Sequence, residues 1–296
     1  MRHGILGVSL LLSIFSCTPM VQQAVLPSKN VEVVKKGSFY VALSEDEESF
    51  IGYEARRLGI PIPDREEIKR YLSYYLRNKE FTERLLQRAN HYLPTIRPVL
   101  EKYGLPAELA MLPAIESAFN PFAVSRSGAA GLWQFIPSTA RRYGLRVDNL
   151  VDERFDILKS TEAAALYLRD LYSTFRNWEL TLASYNCGEN CVWRRTGGID
   201  FWQTYGFLPE ETKNYVPNFF ALLLIARDPK RYGFNTDVKM EEVKVVRVNK
   251  DIQKDELLDS LKVKEDIFKD YNPHILGNTV PKDTYVYIPK KVVLIK

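Results

Sequence analysis

The sequence predicts a mainly α-helical body followed by a small α+β module. Apolar residues recur at three- and four-residue spacing in successive runs from Asp64 to about Asp228, and Gly and Pro punctuate those runs. Beyond about Lys239 the pattern changes to strand-like alternation around two short helical runs. With 296 residues, 46% of them hydrophobic, the chain can bury a full core. The expected organisation is an export signal over 1–17, a tether over 18–63, the helical body over 64–238 and the module over 239–296.

The elements follow in order. Asp64 is placed to open a helix in "DREEIKRYLSYYLRN", with Glu67 as capping-box partner and Ile68, Tyr71, Leu72 and Tyr75 on one face. A second run covers "EFTERLLQRANHYL", and "TIRPVLEKYGLPAELAMLPAIES" supplies two more, divided at Gly104, with Pro106 in a first-turn position. "STARRYGL" ends at Gly144 as a C-cap, "STEAAALYLRDLYSTF" is strongly amphipathic, and "WELTLASYNCG" stops at Gly188. "PEETKNYVPNFFALLLIARDP" closes the body, and its apolar core is too short to span a membrane. In the module, "EEVKVVRVNKD" and "TYVYIPKKVVLIK" read as strands flanking two helices in "KDELLDSLKVKEDIFKDYNPHI", a β-α-α-β order.

The first residues, "MRHGILGVSLLLSIFSC", place basic Arg2 before an apolar stretch from Ile5 to Phe15, which suits an export signal better than a membrane span. Ile14, Ser16 and Cys17 resemble the lipobox of bacterial lipoproteins, although Phe15 is bulkier than the usual residue there. That resemblance implies an acylated Cys17, with Thr18 behind it favouring the outer membrane, and a lipid anchor in place of a spanning helix. Export would bring Cys187 and Cys191 into an oxidising compartment, where their spacing permits a disulfide; two unpaired thiols are the alternative. The 41 basic and 37 acidic residues leave a net charge of +4 without a long basic tract, which argues against nucleic acid as a partner. His3, His91 and His274 form no cluster with cysteine at ligand spacing, so no metal and no other cofactor is expected.

One carboxylate stands apart. Glu116 is the only charged residue between Glu108 and Arg126, and it sits near the end of the helix begun at Pro106 among apolar neighbours. Helix-end carbonyls and desolvation both disfavour a negative charge there and raise a carboxyl pKa. A carboxyl that holds its proton near neutral pH is what a general acid requires. Pro113 is expected to kink the same helix three residues earlier.

The stretch "ESAFNPFAVSRSGAAGLWQF" resembles the signature of lytic transglycosylases of the goose-lysozyme-like superfamily. Glu116-Ser117 matches the catalytic Glu-Ser pair, Gly131 to Phe135 the Gly-Leu-x-Gln block, "ASYNCG" the Ala-x-Tyr-Asn-x-Gly block, and "ETKNYVP" the block whose tyrosine, here Tyr215, lines the active site. The Trp within "GLWQF" and the preceding helical runs are most similar to the membrane-bound lytic murein transglycosylase D branch. The resemblance covers roughly Asp64 to Asp228 and implies a lysozyme-like helical catalytic domain.

It further implies that Glu116 protonates the glycosidic oxygen between N-acetylmuramic acid and N-acetylglucosamine and then acts as base. A common two-carboxylate glycosidase places its second carboxylate roughly 5 to 9.5 Å away; the four blocks are read as holding no second carboxylate, and the resemblance implies that the substrate's own C6 hydroxyl closes a 1,6-anhydro ring instead. Ser117 and Ser125 are candidates to hydrogen-bond the carboxyl or the acetamido group, or else to cap a helix and sit in a turn. Gln134 is a candidate to hold the N-acetyl group or Glu116, Tyr185 and Asn186 to point into the groove or to serve as core and C-cap, and Tyr215 to steady Glu116. Trp133, Phe119 and Phe122 offer sugar-stacking faces, with packing the stronger expectation for each Phe.

The C-terminal segment resembles a degenerate LysM-type glycan-binding repeat on "VVRVNKD", Leu257-Leu258, Val263, Asn272-Pro273 and "VYIP"; a structural lid reads the same. The expected partners are therefore peptidoglycan strands and, through the anchor, a membrane. Two rivals remain: a muramidase of the same fold with Asp152, Glu153 or Asp156 as base, and a non-catalytic wall-binding lipoprotein.

Overall fold

The structure, a computed structural model, describes residues 59–237 and 242–290 and the backbone of 14–16. Cys17 and the tether up to residue 58 lie outside the described residues. The described residues form two compact units, one comprising 59–145 and 157–237, the other 14–16, 146–156 and 242–290. The fold class read from the sequence, mainly α with a small β-containing module, is the observed one.

The larger unit is helical. Helix α1 (Glu66–Arg77) begins after Arg65, which makes no side-chain cap; Asp64 instead pairs with Lys69 Nζ at 2.8 Å on the surface, so the expected capping box does not form. Helix α2 (Lys79–Lys102) runs straight through Pro94 and Pro98 where two separate helices were expected. Each interior proline costs about 3 kcal/mol, but the buried stripe holds Leu85, Leu86, Leu93, Ile96, Val99 and Leu100. At about 1.5–3 kcal/mol per fully buried apolar side chain, that burial outweighs the break.

A 3₁₀ turn (Ala107–Met111) precedes the short helix α3 (Leu112–Ser117), so Pro113 lies in a first turn, where its missing N–H costs nothing, and not inside a kinked helix. Helices α4 (Pro137–Arg142), α5 (Ile157–Phe175), α6 (Trp178–Cys187), α7 (Glu189–Thr196), α8 (Phe201–Thr204) and α9 (Glu210–Arg227) follow. Asn177 caps α6 by accepting from Leu180 N–H at 2.8 Å. Helix α9 packs on α1, α3 and α6. Its run from Tyr215 to Ile225 is buried nearly all round, which explains why it shows little amphipathic pattern.

The smaller unit contains a sheet of order β1 (Ile14–Ser16), β2 (Val243–Arg247) and β5 (Tyr285–Pro289), all antiparallel, with Val245 opposite Tyr287. A second ladder pairs β3 (Ile252–Gln253) with β4 (Thr279–Val280). Between β3 and β4 come α10 (Lys254–Leu261) and α11 (Glu265–Tyr271). Val246, Leu257, Phe268, Val280 and Val286 form its core. The expected β-α-α-β order is present, with the short β3–β4 ladder added.

Candidate active site

Helix α3 ends in an uncommon backbone. Ala118 and Phe119 both have positive φ, at 50° and 54°, and Gln134 has φ 49°. Left-handed conformations in non-glycine residues cost of order 1–3 kcal/mol and collect at functional sites. Two anchors hold this turn: the Pro113 carbonyl accepts from Phe119 N–H at 3.1 Å, and the Phe119 ring is fully buried, stacked on Tyr92 at 6.1 Å. The strained turn leaves Glu116 facing a cavity of about 480 Å³, within the usual range for ligand sites.

The loop from Ala123 to Phe135 forms one wall. It folds on itself through Gly131 N–H to Ala123 carbonyl at 2.9 Å and Ala130 N–H to Phe135 carbonyl at 3.0 Å. Ser117 Oγ lies 3.0 Å from the Leu132 carbonyl and 3.1 Å from that of Pro113. Of the alternatives for Ser117, the helix-end role is the one seen, and the same hydroxyl ties the loop to α3. Ser125 lines the cavity, its Oγ 2.9 Å from Ser127 Oγ and accepting from Ala129 N–H at 3.0 Å. Gln134 donates its amide NH₂ to the carbonyls of Gly131, at 2.8 Å, and Ala123, at 3.2 Å, while lining the cavity.

Trp133 does not offer a sugar-stacking face. It is fully buried, with its indole N–H donated to Thr161 Oγ1 at 3.0 Å. A tryptophan between Leu132 and Gln134 in an apolar loop is a core filler, and only its carbonyl reaches the site, accepting from Tyr185 Oη at 2.8 Å. Phe119 is buried too, whereas Phe122 is half exposed and outside the cavity wall.

The opposite wall comes from α5, α6 and α9. Tyr167 and Tyr185 lie 5.2 Å apart and both line the cavity. Asn186 is held on both sides of its amide: Nδ2 donates to Glu211 Oε1 at 3.1 Å and Oδ1 accepts from Thr212 Oγ1 at 2.7 Å. Cys187 and Cys191 are disulfide-bonded across Gly188, stapling the turn that follows Asn186. Tyr215 donates its hydroxyl to Glu116 Oε1.

Glu116 keeps part of its surface open to the cavity, yet the surrounding protein strips most of its solvation. Burial pushes its carboxyl up to about 7; the Tyr215 hydrogen bond opposes this and the Glu211 charge adds to it. Burial and the Glu116 charge likewise hold the hydroxyls of Tyr185 and Tyr215 well above the usual phenol range, so both remain donors.

Glu211 is a correction to the expectation of a solitary carboxylate, since it lines the same cavity. It was legible as the first residue of "ETKNYVP", but an acid in the first turn of a helix reads as a dipole partner. Tyr167 was hidden in an amphipathic run. The rival bases Asp152, Glu153 and Asp156 are all buried, belong to the smaller unit and take no part in the cavity wall. Asp152 is paired with Arg154 at 2.6 Å and Asp156 accepts from Tyr287 Oη at 2.6 Å. Among the described residues no group of His, Cys, Asp and Glu is disposed to hold a metal ion.

The site is thus a helical body with a proton-holding carboxyl at a strained helix end, facing an aromatic and amide-lined cavity. Residues 95–200 match the family model described as Transglycosylase SLT domain. The chain is 37% identical over 255 residues to membrane-bound lytic murein transglycosylase D of Escherichia coli (strain K12), covering 82% of this chain and 55% of that protein. It is 33% identical over 123 residues to membrane-bound lytic murein transglycosylase C of Yersinia enterocolitica, covering 36% of this chain and 34% of that one. The chain thus spans about half the length of the first of these relatives. Among solved structures, the 70 kDa soluble lytic transglycosylase of Escherichia coli aligns at a TM-score of 0.40 with 22% identity, over 56% of this chain and 31% of that one.

Proposed function

We propose that this chain is a peptidoglycan lytic transglycosylase that cleaves the β-1,4 bond between N-acetylmuramic acid and N-acetylglucosamine and leaves a 1,6-anhydro end. The observation that carries the reading is Glu116, a carboxyl whose surroundings favour its protonated form near neutral pH, bonded by Tyr215 at the wall of the cavity.

The protonated carboxyl gives its proton to the glycosidic oxygen as the C1–O bond breaks, and the N-acetylglucosamine side departs with a 4-hydroxyl. Tyr215 then stabilises the carboxylate with its donated hydrogen bond. The substrate's N-acetyl group shields the positive C1, as in substrate-assisted glycosidases. The C6 hydroxyl attacks C1 and returns its proton to Glu116, so one carboxyl serves as acid and base and no water is consumed. Gln134, Ser125 and Asn186 are the polar groups available to orient the acetamido and hydroxyl groups, and Tyr185 and Tyr167 supply the apolar wall.

Glu211 gives the muramidase reading its one specific support, because it is a second carboxylate at the cavity. Its bond to Asn186 and its electrostatic effect on Glu116 favour a different task, that of keeping the proton on Glu116. Digestion of purified murein separates the two: a transglycosylase leaves anhydro ends lighter by one water, while a hydrolase leaves reducing ends.

The relatives are named membrane-bound, which supports a place in the cell envelope. Acylation of Cys17 at the periplasmic face of the outer membrane supplies the attachment in this proposal, and among the described residues no helix is long and apolar enough to cross a membrane. The C-terminal module is read as LysM-like on its element order, with glycan strands as its ligand.

A further inference from the structure

Residues 146–156 lie between α4 and α5 in the chain, yet they fold with the C-terminal segment. Backbone bonds hold them there. Asp152 N–H donates to the His274 carbonyl at 2.8 Å, and Leu276 and Gly277 N–H both donate to the Leu150 carbonyl, at 2.8 and 3.0 Å. Val151 forms a bridge with Ile275. Side chains add a buried group: Tyr287 Oη donates to Asp156 Oδ1 at 2.6 Å, and His274 Nε2 lies 3.7 Å from Asp156 Oδ2, with both His274 and Asp156 fully buried.

Gly277 shows how close the approach is. A Cβ there would meet Leu150 Cδ2 at 2.6 Å and Leu150 Cα at 3.2 Å. Its φ is not positive, so space alone calls for glycine.

Chain connectivity carries this attachment to the cavity. The arm is continuous in sequence with the segment holding Ile136 and Thr139 and with α5, which bears Tyr167; all three side chains line the cavity. Helix α5 also bears Thr161, the partner of the Trp133 indole. We propose that the C-terminal module is an intramolecular clamp on the α4–α5 connection, positioning the walls of the Glu116 cavity for turnover. The inference rests on the reading of that cavity as the glycan-cleaving site and adds a second duty to the module besides any glycan contact.

The test uses the full chain. Gly277→Val crowds Leu150, Tyr287→Phe removes only the hydroxyl on Asp156, and Gly277→Ala is made alone and together with Leu150→Ala, which reopens the space. Anhydro-ended product is followed for kcat and KM on purified sacculi, and amide hydrogen exchange is measured over 146–156 and the first turn of α5. Gly277→Val and Tyr287→Phe are expected to speed exchange over the arm and to lower kcat by up to about 10²-fold, the cost of misplacing a catalytic group by about 1 Å, with KM within about twofold. Adding Leu150→Ala to Gly277→Ala is expected to restore slow exchange and part of kcat. Unaltered exchange in both Gly277→Val and Tyr287→Phe, faster exchange with wild-type kcat, or a loss confined to KM would each overturn the clamp. If the wild-type protein itself makes no anhydro ends, the functional reading fails, while the exchange data still report on the attachment.

Discussion

Tyr215 donates its hydroxyl hydrogen to Glu116 across ninety-nine residues of chain, joining the last turn of α3 to the buried second turn of α9. The bond draws the Glu116 pKa down while burial and the Glu211 charge push it up, and the outcome is a carboxyl at about 7. The acidity of the proton donor is thus a balance among named groups, and each can be removed separately.

Removing them is expected to move the alkaline limb of kcat/KM in opposite directions. The active form carries the proton, so activity falls as pH rises through about 7. Glu211→Gln takes away a neighbouring anion and shifts the limb to lower pH. Tyr215→Phe takes away a hydrogen bond to the carboxylate and shifts it higher. Initial rates of anhydro-end release across pH 5–9 check both signs, and shifts in the same direction would refute the balance.

Glu116→Gln is expected to lower turnover by about 10² to 10⁴, the range for loss of a general acid. It should also change the stability profile. The folded-state pKa lies above the unfolded value, so between 4.5 and about 7 the native state binds more protons and stability falls as pH rises. The contribution of the protonated carboxyl is complete below 4.5 and lost above about 7. The Gln variant is expected to lack this slope and to exceed the wild type in denaturant midpoint at pH 8.

Trp133→Phe is expected to act on stability and not on sugar affinity. It removes buried volume and the indole bond to Thr161, a change worth about 2–4 kcal/mol. Denaturant unfolding should register that loss, while the Kd of an oligosaccharide, measured well below the midpoint, stays within about twofold. A large rise in Kd with unchanged stability would restore Trp133 as a stacking platform.

Ala118→Gly offers the opposite sign. Ala118 occupies the left-handed C-cap of α3, where glycine avoids a steric cost of about 1 kcal/mol. Thermal unfolding is expected to shift upward by a few degrees. The accompanying loosening of the turn beside Glu116 is expected to lower kcat, which the murein assay reads directly.

Much of this was legible in the chain itself, and the reasons differ from residue to residue. Glu116 showed through because an isolated charge in an apolar run has a physical consequence without any fold being known. Helix α5 followed from its spacing, α6 from Gly188 as a stop, and α9 from a long apolar run between Pro209 and Asp228. Helix α2 was misread because local propensity penalises Pro94 and Pro98, whereas burial along its whole length decides the outcome. Trp133 was misread because an aromatic ring beside a glycan motif has two uses, and only packing tells them apart. The allegiance of 146–156 depends on hydrogen bonds to residues more than a hundred positions away, which no local pattern encodes.

That allegiance bears on how such chains are inherited. The stretch that completes the carboxy-terminal fold is written in the middle of the gene for the helical body, so a recombination that grafts 240–296 onto another host delivers a cassette missing its own Leu150 and Val151. Successful shuffling would have to carry both pieces at once, and positions 150 and 277 should change in concert among descendants, bulk at one traded for bulk at the other.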